Sequence, residues 1–200
     1  MPDPKVIAVH DLPTADAKWV KLKKCTWQDP DGTERLWEYA ERPTRSAGGI
    51  DAVAILALLR SQSGAFAPST VIIEQFRPPV ERFVVGLIDK SESPEQAAIR
   101  ELEEETGLKA SAVIGSTPVM VCDPGMTNAN MKLVTIEVSF PDKLEMAPQK
   151  LEPGEYIVVR VVELSKLGEV LRGSLLQKFV VDARLEHLAS GYELAEKLRH

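Results

Sequence analysis

Residues 86–108 read GLIDKSESPEQAAIRELEEETGL, and this stretch carries both the start and the stop signals of a helix. Ser93 stands before Pro94 and three residues before Gln96, the order of an N-cap, a first-turn proline and a capping-box partner. Gly107 suits the left-handed conformation that ends many helices. The sequence therefore predicts a helix of about thirteen residues, from residue 94 to Thr106.

The predicted helix has an apolar face and an acidic face. The apolar positions expected to face the core are Ala98, Ile99 and Leu102. Three carboxylates at spacing i, i+3 and i+4 share another face: Glu101, Glu104 and Glu105. Like charges at these spacings cost about 0.2–0.5 kcal/mol per pair, and acidic groups near a helix C-terminus oppose the helix dipole. The cluster therefore indicates a bound cation, and carboxylate oxygens suit Mg²⁺ or Mn²⁺ together with phosphate oxygens and water.

A solvated run of glutamates is the ordinary explanation of a Glu-rich helix, but a wider pattern argues against it here. Residues 86–108 fit Gly-x5-Glu-x7-Arg-Glu-U-x-Glu-Glu-x-Gly-U, in which U is apolar. The fixed positions are Gly86, Glu92, Arg100, Glu101, Glu104, Glu105 and Gly107. Such a match arises by chance on the order of once in 10⁸ positions. The chain therefore resembles the Nudix hydrolases.

This resemblance implies a role for each polar residue of the motif. Glu101, Glu104 and Glu105 are expected to bind the divalent ions that bridge a pyrophosphate and activate water, and so to be the catalytic glutamates. Arg100 is expected to orient them through a salt bridge. Glu92 is expected to be an accessory metal residue, with a helix-surface ion pair as the open alternative.

Strand signals surround the helix. Alternating residues predict a hairpin over 20–27 and 33–41, joined by the Asp29-Pro30-Asp31-Gly32 turn. Apolar or alternating runs predict strands over 52–59, 70–76, 112–122, 131–140 and 156–162, and residues 179–199 have helical spacing. This order is typical of an α+β protein. With the resemblance it implies the Nudix fold, an α/β/α sandwich (residues 49–200) behind an N-terminal antiparallel β-hairpin subdomain (residues 1–48).

Outside the motif, the chain is similar to the eukaryotic ADP-ribose pyrophosphatases of this family. The blocks that carry the similarity are Lys18-Trp19-Val20-Lys21-Leu22, Arg35-Leu36-Trp37-Glu38, Gln75-Phe76-Arg77-Pro78-Pro79, Gly86-Leu87-Ile88-Asp89, Asp123-Pro124-Gly125-Met126-Thr127-Asn128 and Val181-Asp182-Ala183-Arg184. The resemblance implies that Trp19 and Trp37 sandwich the adenine, since aromatic faces accept a flat base. Core packing is the alternative for a tryptophan on a strand.

The same resemblance assigns further residues to substrate and water. Glu38 matches a polar adenine contact, and Arg42 and Arg77 match arginines that reach the diphosphate or ribose. Surface ion pairs are the alternative for these arginines.

Three more positions complete the expected site. Asp123 is an expected accessory residue. Glu155 falls where the family has a glutamate on a mobile loop that positions the attacking water, with an ordinary loop acid as the alternative. The family usually has Glu, an apolar residue, Pro and Ala before the motif glycine, and that Ala carbonyl is a metal ligand. Here about four residues are missing, so the backbone carbonyl of Val85 is the expected substitute.

The implied activity is Mg²⁺-dependent hydrolysis of ADP-ribose to AMP and ribose 5-phosphate, with Mn²⁺ as the other candidate ion. Two alternatives remain open. One is hydrolysis of another ADP-sugar or an oxidised nucleotide; the other is a non-catalytic ADP-ribose-binding module, because of the shortened segment before Gly86. The family relatives are commonly homodimers that exchange the N-terminal hairpin, so a small-molecule nucleotide sugar and a second copy are the expected partners.

Composition restricts the other possibilities. The chain has 200 residues, 44% hydrophobic and 27% charged, and a formal net charge of -6. Nucleic acid is therefore not an expected partner. No apolar run is long enough to predict a membrane span. Cys25 and Cys122 fit no zinc spacing, and two cysteines are too few for a disulfide scaffold. We expect two unbridged thiols in a reducing compartment, the cytoplasm or the nucleus.

Overall fold

The computed structural model describes residues 4–43, 45, 49–86, 88–90, 94–173 and 179–199. The strands are β1 (Lys21–Gln28), β2 (Glu34–Glu41), β3 (Ala52–Ser61), β4 (Ser69–Arg77), β5 (Arg82–Gly86), β6 (Ile88–Lys90), β7 (Ala112–Ser116), β8 (Met120–Val121), β9 (Asn130–Phe140), β10 (Ile157–Glu163) and β11 (Phe179–Val181). The α-helices are α1 (Pro94–Thr106), α2 (Leu167–Arg172) and α3 (Ala183–Lys197). Short 3-10 turns lie at Thr14–Asp16, Pro78–Val80 and Leu164–Lys166.

The N-terminal hairpin forms as predicted. Strands β1 and β2 pair antiparallel from Lys21 with Glu41 to Gln28 with Glu34. The turn is tight because Gly32 takes φ +80° and its N–H donates to the carbonyl of Asp29 at 2.9 Å. The Asp29 carboxylate also accepts the N–H of Thr33 at 2.8 Å. This contact stabilises the turn next to the pair of Gln28 with Glu34. The hairpin is a two-stranded sheet separate from the main sheet.

The main sheet is mixed and is organised around β3. Strand β9 runs parallel to β3 along its whole length, from Ala52 with Met131 to Ser61 with Phe140. Strand β4 pairs antiparallel with β3 only at Leu58 and Leu59 and then diverges. The divergence leaves room for β5, which pairs with β4, and for β6, which pairs with β3 over residues 53–55. The segment leading into α1 therefore starts at a split in the sheet.

Helices cover both faces of this sheet. On one face, Ala98 and Leu102 of α1 pack with Val53, Ile55 and other buried residues of β3, β4 and β9. On the opposite face, Ile72 and Val162 pack against α2 and α3. Helix α3 begins where the Asp182 carboxylate accepts the N–H of Arg184 at 2.9 Å, an N-cap interaction. The α/β/α sandwich expected from the sequence is confirmed.

Two element predictions were wrong in detail. The single strand expected over residues 112–122 is two strands, β7 and β8, because Pro118 lies between them and proline cannot donate to a ladder. The helical segment expected over 179–199 opens instead with strand β11, which pairs parallel with β5. Among the described residues, no helix is long and apolar enough to cross a membrane.

Candidate active site on the last turns of helix α1

Two of the three predicted metal glutamates lie inside the buried stripe of α1. The buried residues of the helix are Ala97, Ala98, Glu101, Leu102, Glu105 and Thr106. The expected core residue Ile99 is 40% exposed, so that prediction was wrong, and the stripe is centred closer to the glutamates. Glu101 and Glu105 are only 2% and 5% exposed. The sequence folds this way because positions 97, 101 and 105 repeat every four residues and share one side of a helix.

Arg100 connects the glutamates. Its Nη2 lies 2.7 Å from Oε1 of Glu101, and its Nη1 lies 2.7 Å from Oε2 of Glu104. The side chain of Glu104 is 38% exposed, so it is the most accessible of the three carboxylates. One guanidinium thus offsets part of the repulsion between acidic groups that would otherwise destabilise the helix.

The carboxylate oxygens of these glutamates are of the chemical type that binds a hard divalent cation. Glu101 and Glu105 are buried, and Arg100 supplies positive charge to Oε1 of Glu101. Carboxylate oxygens are hard ligands of the kind that divalent cations such as Mg²⁺ or Mn²⁺ accept. In the part of the chain that the structure describes, no three Asp, Glu, His or Cys side chains are grouped closely enough to hold one metal ion by themselves. A hard divalent cation held by one or two carboxylates completes its shell with water and substrate phosphate.

The predicted backbone ligand has a less favourable position. Strand β5 continues to Gly86, and Val85 stands between Glu74 of β4 and Val181 of β11. A residue with neighbouring strands on both sides usually gives its carbonyl to a sheet hydrogen bond. The described geometry therefore disfavours the predicted metal-ligand role of the Val85 carbonyl. Glu92 and the predicted N-cap Ser93 lie outside the described residues.

The loop of residues 123–128 ties the hairpin to the main domain. The N–H of Ala40 donates to the carbonyl of Met126 at 2.8 Å, and the N–H of Asn128 donates back to Ala40 at 3.3 Å. The indole N–H of Trp37 donates to the carbonyl of Gly125 at 3.1 Å. Trp37 is nevertheless 47% exposed, so one end of the indole is fixed while part of the ring still faces solvent.

An ion pair with one buried partner, Asp51, fixes the same junction, and sequence reasoning missed it. The Arg45 guanidinium binds both carboxylate oxygens of Asp51, at 3.0 and 2.8 Å, and donates to the carbonyl of Asn128 at 2.7 Å. The Asp51 carboxylate also accepts the N–H of Asn130 at 3.0 Å. Burial acts to raise the pKa of Asp51, but the hydrogen bonds from Arg45 and Asn130 and the charges of Arg45 and Arg42 outweigh it and hold that pKa below its usual range.

The two predicted adenine residues are far apart along the hairpin. Trp37 pairs with Cys25, whereas Trp19 lies before the first residue of β1, Lys21. The four strand steps from Lys21 to Cys25 alone span about 13 Å, whereas two rings that sandwich a base stand about 7 Å apart. Trp19 is also 71% exposed. The hairpin register therefore does not bring these two rings together on one base within one chain.

The other predicted residues lie on the surface around these elements. Glu38, Arg42, Arg77 and Asp123 are all exposed. Arg77 ends β4 and pairs with Arg82 of β5, and the carbonyl of Asp123 accepts the N–H groups of Met126 and Thr127. Glu155 is half-buried, and its carboxylate accepts the N–H of Glu152 at 3.0 Å.

Comparison with known proteins gives the family. Residues 50–181 match the NUDIX domain. The chain is 45% identical to an uncharacterized Nudix hydrolase of Schizosaccharomyces pombe, over 94% of this chain and 92% of that protein. It is 40% identical to an ADP-ribose pyrophosphatase of Saccharomyces cerevisiae (98% and 86% covered) and 36% identical to an ADP-sugar pyrophosphatase of Mus musculus (86% and 80% covered).

A solved structure supports the fold. The crystal structure of an ADP compounds hydrolase aligns with 98% of this chain and 97% of its own, with a TM-score of 0.60 at 16% identity. The matched domain contains α1 and its glutamates, and the relatives extend the similarity through the hairpin. The chain belongs to the Nudix family of hydrolases.

Proposed function

We propose that this protein hydrolyses the pyrophosphate of ADP-ribose to AMP and ribose 5-phosphate with Mg²⁺. The observation that carries the proposal is the pair of buried carboxylates, Glu101 and Glu105, on the last turns of a helix in a Nudix domain. Two relatives that align with most of the chain are named for ADP-ribose and ADP-sugar substrates, which supports the choice of substrate.

In this proposal Glu101, Glu104 and Glu105 bind divalent cations singly or in pairs, and water and substrate phosphate complete each coordination shell. When bound, the cation neutralises charge on the diphosphate and activates a water for attack at phosphorus. Arg100 keeps Glu101 and Glu104 oriented through its two ion pairs. Glu155 accepts a proton from the attacking water or orients it, as a positioned carboxylate can do; the segment that leads to it is hydrogen-bonded to α1 at Lys150.

Substrate binding is assigned to exposed groups near the hairpin. Arg42 and Arg77 provide guanidinium donors for the diphosphate or ribose, which an acidic protein needs locally for an anionic substrate. Trp37 and Glu38 contact the adenine. We further propose that residues 1–48 form the adenine-binding subdomain and residues 49–200 the hydrolase domain; the separate two-stranded sheet of the hairpin supports this division.

A substrate panel tests the activity. The full chain is incubated with Mg²⁺ and, separately, with ADP-ribose, ADP-glucose, NADH, diadenosine polyphosphates and nucleoside triphosphates. We expect AMP release to be fastest from ADP-ribose, measured by chromatography of the products. Faster release from another ADP-sugar would transfer the proposal to that substrate, and preferred turnover of a triphosphate would contradict it.

A non-catalytic ADP-ribose-binding module is the second candidate. It is favoured by the position of β5, whose ladder with β4 continues to the motif glycine, Ile73 opposite Gly86. Titration calorimetry measures ADP-ribose binding, and chromatography measures AMP release. A binding module would bind ADP-ribose and release no AMP with either Mg²⁺ or Mn²⁺.

We also propose a homodimer in which Trp19 of one copy and Trp37 of a second copy sandwich one adenine. The hairpin supports this, since Trp19, Leu22, Leu36 and Trp37 are all large, exposed apolar residues. The register, which separates Trp19 from Trp37 within one chain, supports it as well.

Mixing two variants tests the shared site. Trp19→Ala and Trp37→Ala are each expected to raise KM for ADP-ribose by about fivefold to about 150-fold, because stacking contributes about 1–3 kcal/mol per base. When the two variants are co-expressed, random pairing gives about a quarter of the sites both tryptophans, so about a quarter of wild-type activity at low substrate returns. If both rings belonged to one chain, mixing would restore nothing.

A further inference from the structure

The last turn of α1 is closed by a segment of irregular structure, residues 144–152, which we call the strap. Leu144 and Leu151 pack against the core beside α1, so both ends of the strap are anchored. Between them the backbone passes directly over the helix end. A Cβ atom on Gly107 would lie 2.6 Å from the carbonyl carbon of Ala147, a separation that real Cβ atoms essentially never show.

The strap supplies hydrogen-bond donors that the helix end lacks. The last four carbonyls of an α-helix have no partner within the helix. In α1 the carbonyl of Glu103 accepts the N–H of Gly107 at 2.8 Å, and that of Glu104 accepts the backbone N–H of Lys150 at 2.7 Å. The carbonyl of Glu105 accepts the side-chain amide of Gln149 at 2.6 Å. Two of the proposed metal residues thus have their main chain held by the strap.

Gln149 makes a second contact, with the strand that follows Glu155. Its Nε2 also donates to the carbonyl of Ile157 at 3.1 Å. Ile157 begins β10 and lies two residues after Glu155, the proposed water-positioning carboxylate. One amide therefore joins the backbone of Glu105 to the strand that follows the Glu155 loop.

The Glu155 loop is held at its other end as well. The backbone N–H of Lys150 donates to the carbonyl of Glu104, and residues 152–155 then form a turn with two internal hydrogen bonds. The N–H of Glu155 donates to the carbonyl of Glu152 at 3.0 Å, while the N–H of Glu152 donates to the Glu155 carboxylate. The segment that carries Glu155 thus departs from α1 at Lys150 and is tied back to α1 through Gln149.

The strap also complements the charge of the helix end. The Lys150 ammonium lies 2.9 Å from the Glu103 carboxylate. This contact lowers the pKa of Glu103 and raises that of Lys150. A cation at a helix C-terminus is favourable because the carbonyl end of the helix carries partial negative charge. This ion pair is exposed, so we assign it to local charge balance and not to the proposed catalytic geometry.

We infer that Gln149 is a positioning residue that fixes Glu155 relative to the metal-binding helix through its two amide hydrogen bonds. The inference rests on the proposed function of Glu105 and Glu155. Both bonds come from one nitrogen, so the distance between the two carbonyls that they join is fixed within narrow limits. A shift near 1 Å in a catalytic group can cost about a hundredfold in rate.

The test compares variants of similar size at position 149. Gln149→Met keeps the length of the side chain and removes both donors, and we expect kcat to fall about tenfold to a hundredfold with KM within about twofold. Gln149→Lys restores an N–H donor group and is expected to recover most of the loss. Lys150→Met removes only the ion pair to Glu103 and is expected to leave kcat within about threefold.

A double-mutant cycle shows whether Gln149 acts through Glu155. In a Glu155→Gln background, Gln149→Met should cause little further loss of kcat, because the positioned carboxylate is already gone. Independent, additive losses would overturn the inference and indicate a general structural role. Equal losses for Gln149→Lys and Gln149→Met would overturn it too.

A measurement without substrate separates this inference from the proposed function. Amide hydrogen exchange over residues 150–157 is expected to be at least about tenfold faster in Gln149→Met than in the wild-type protein, since the segment loses one of its two attachments. An unchanged exchange rate in Gln149→Met would contradict the proposed attachment of residues 150–157 through Gln149, whichever substrate the protein hydrolyses. Failure of the wild-type protein to hydrolyse any compound of the panel would instead remove the proposed function and, with it, the catalytic part of the inference.

Discussion

Glu105→Gln is expected to reduce kcat for ADP-ribose hydrolysis by at least about a thousandfold, which corresponds to about 4 kcal/mol of lost transition-state stabilisation. The substitution keeps the shape of the side chain but removes the negative charge that would hold the divalent cation. Glu105 is buried, and the neutral amide is easier to bury than a carboxylate, so we expect the fold to be retained. Steady-state kinetics across a Mg²⁺ titration and a thermal melt measure the two effects.

Glu103→Gln is the matched control for this experiment. Glu103 lies on the same helix, but its carboxylate points to Lys150 at the surface. We expect its kcat to stay within about threefold of the wild-type value, because exposed ion pairs contribute little to stability. Full activity in Glu105→Gln, or equal losses in both variants, would show that the metal residues have been assigned wrongly.

Gly107→Ala is expected to destabilise the protein by about 2–5 kcal/mol. Gly107 has φ +73°, and an alanine in that conformation costs about 1–2 kcal/mol. The added Cβ would also overlap the backbone of Ala147, and forced overlap in a packed region costs about 1–3 kcal/mol. For a chain of this size the midpoint of thermal unfolding should fall by about 4–20 °C, measured by calorimetry.

Gly64→Ala separates the two contributions. Gly64 has a similar backbone, φ +76°, but nothing lies within 4 Å of its expected Cβ position. It should therefore show the conformational cost alone, about 1–2 kcal/mol. If Gly107→Ala lowered the free energy of unfolding no more than Gly64→Ala, this would contradict the close contact between the strap and the end of α1.

The local elements of this protein could be predicted from the sequence because their signals are short in range. The last residue of α1 and the left-handed Gly107 follow from a stop signal within two residues. The hairpin follows from the Asp29 to Gly32 turn between two alternating segments. The motif of residues 86–108 was sufficient to indicate the family, since its spacing is itself a helical pattern.

The candidate site could be predicted only in part. The glutamates were found because they repeat along one helix, yet their burial was not, since apolar spacing placed Ile99 in the core and the sheet selected Ala97 instead. The Arg45 and Asp51 pair was missed because its arrangement depends on Asn128, which also binds Arg45 and lies 83 residues further along the chain. Such a pair leaves no local pattern.

The sequence by itself determined the helix, the hairpin and the family, and tertiary structure decided how they are connected. Gln149 and Glu105 are 44 residues apart, and Trp37 and Gly125 are 88 apart. Neither contact has a periodic signal, because polar residues in irregular segments can serve many partners. Each forms only after the sheet and α1 have packed and left specific carbonyls at the surface, so its free energy depends on the whole fold rather than on neighbouring residues.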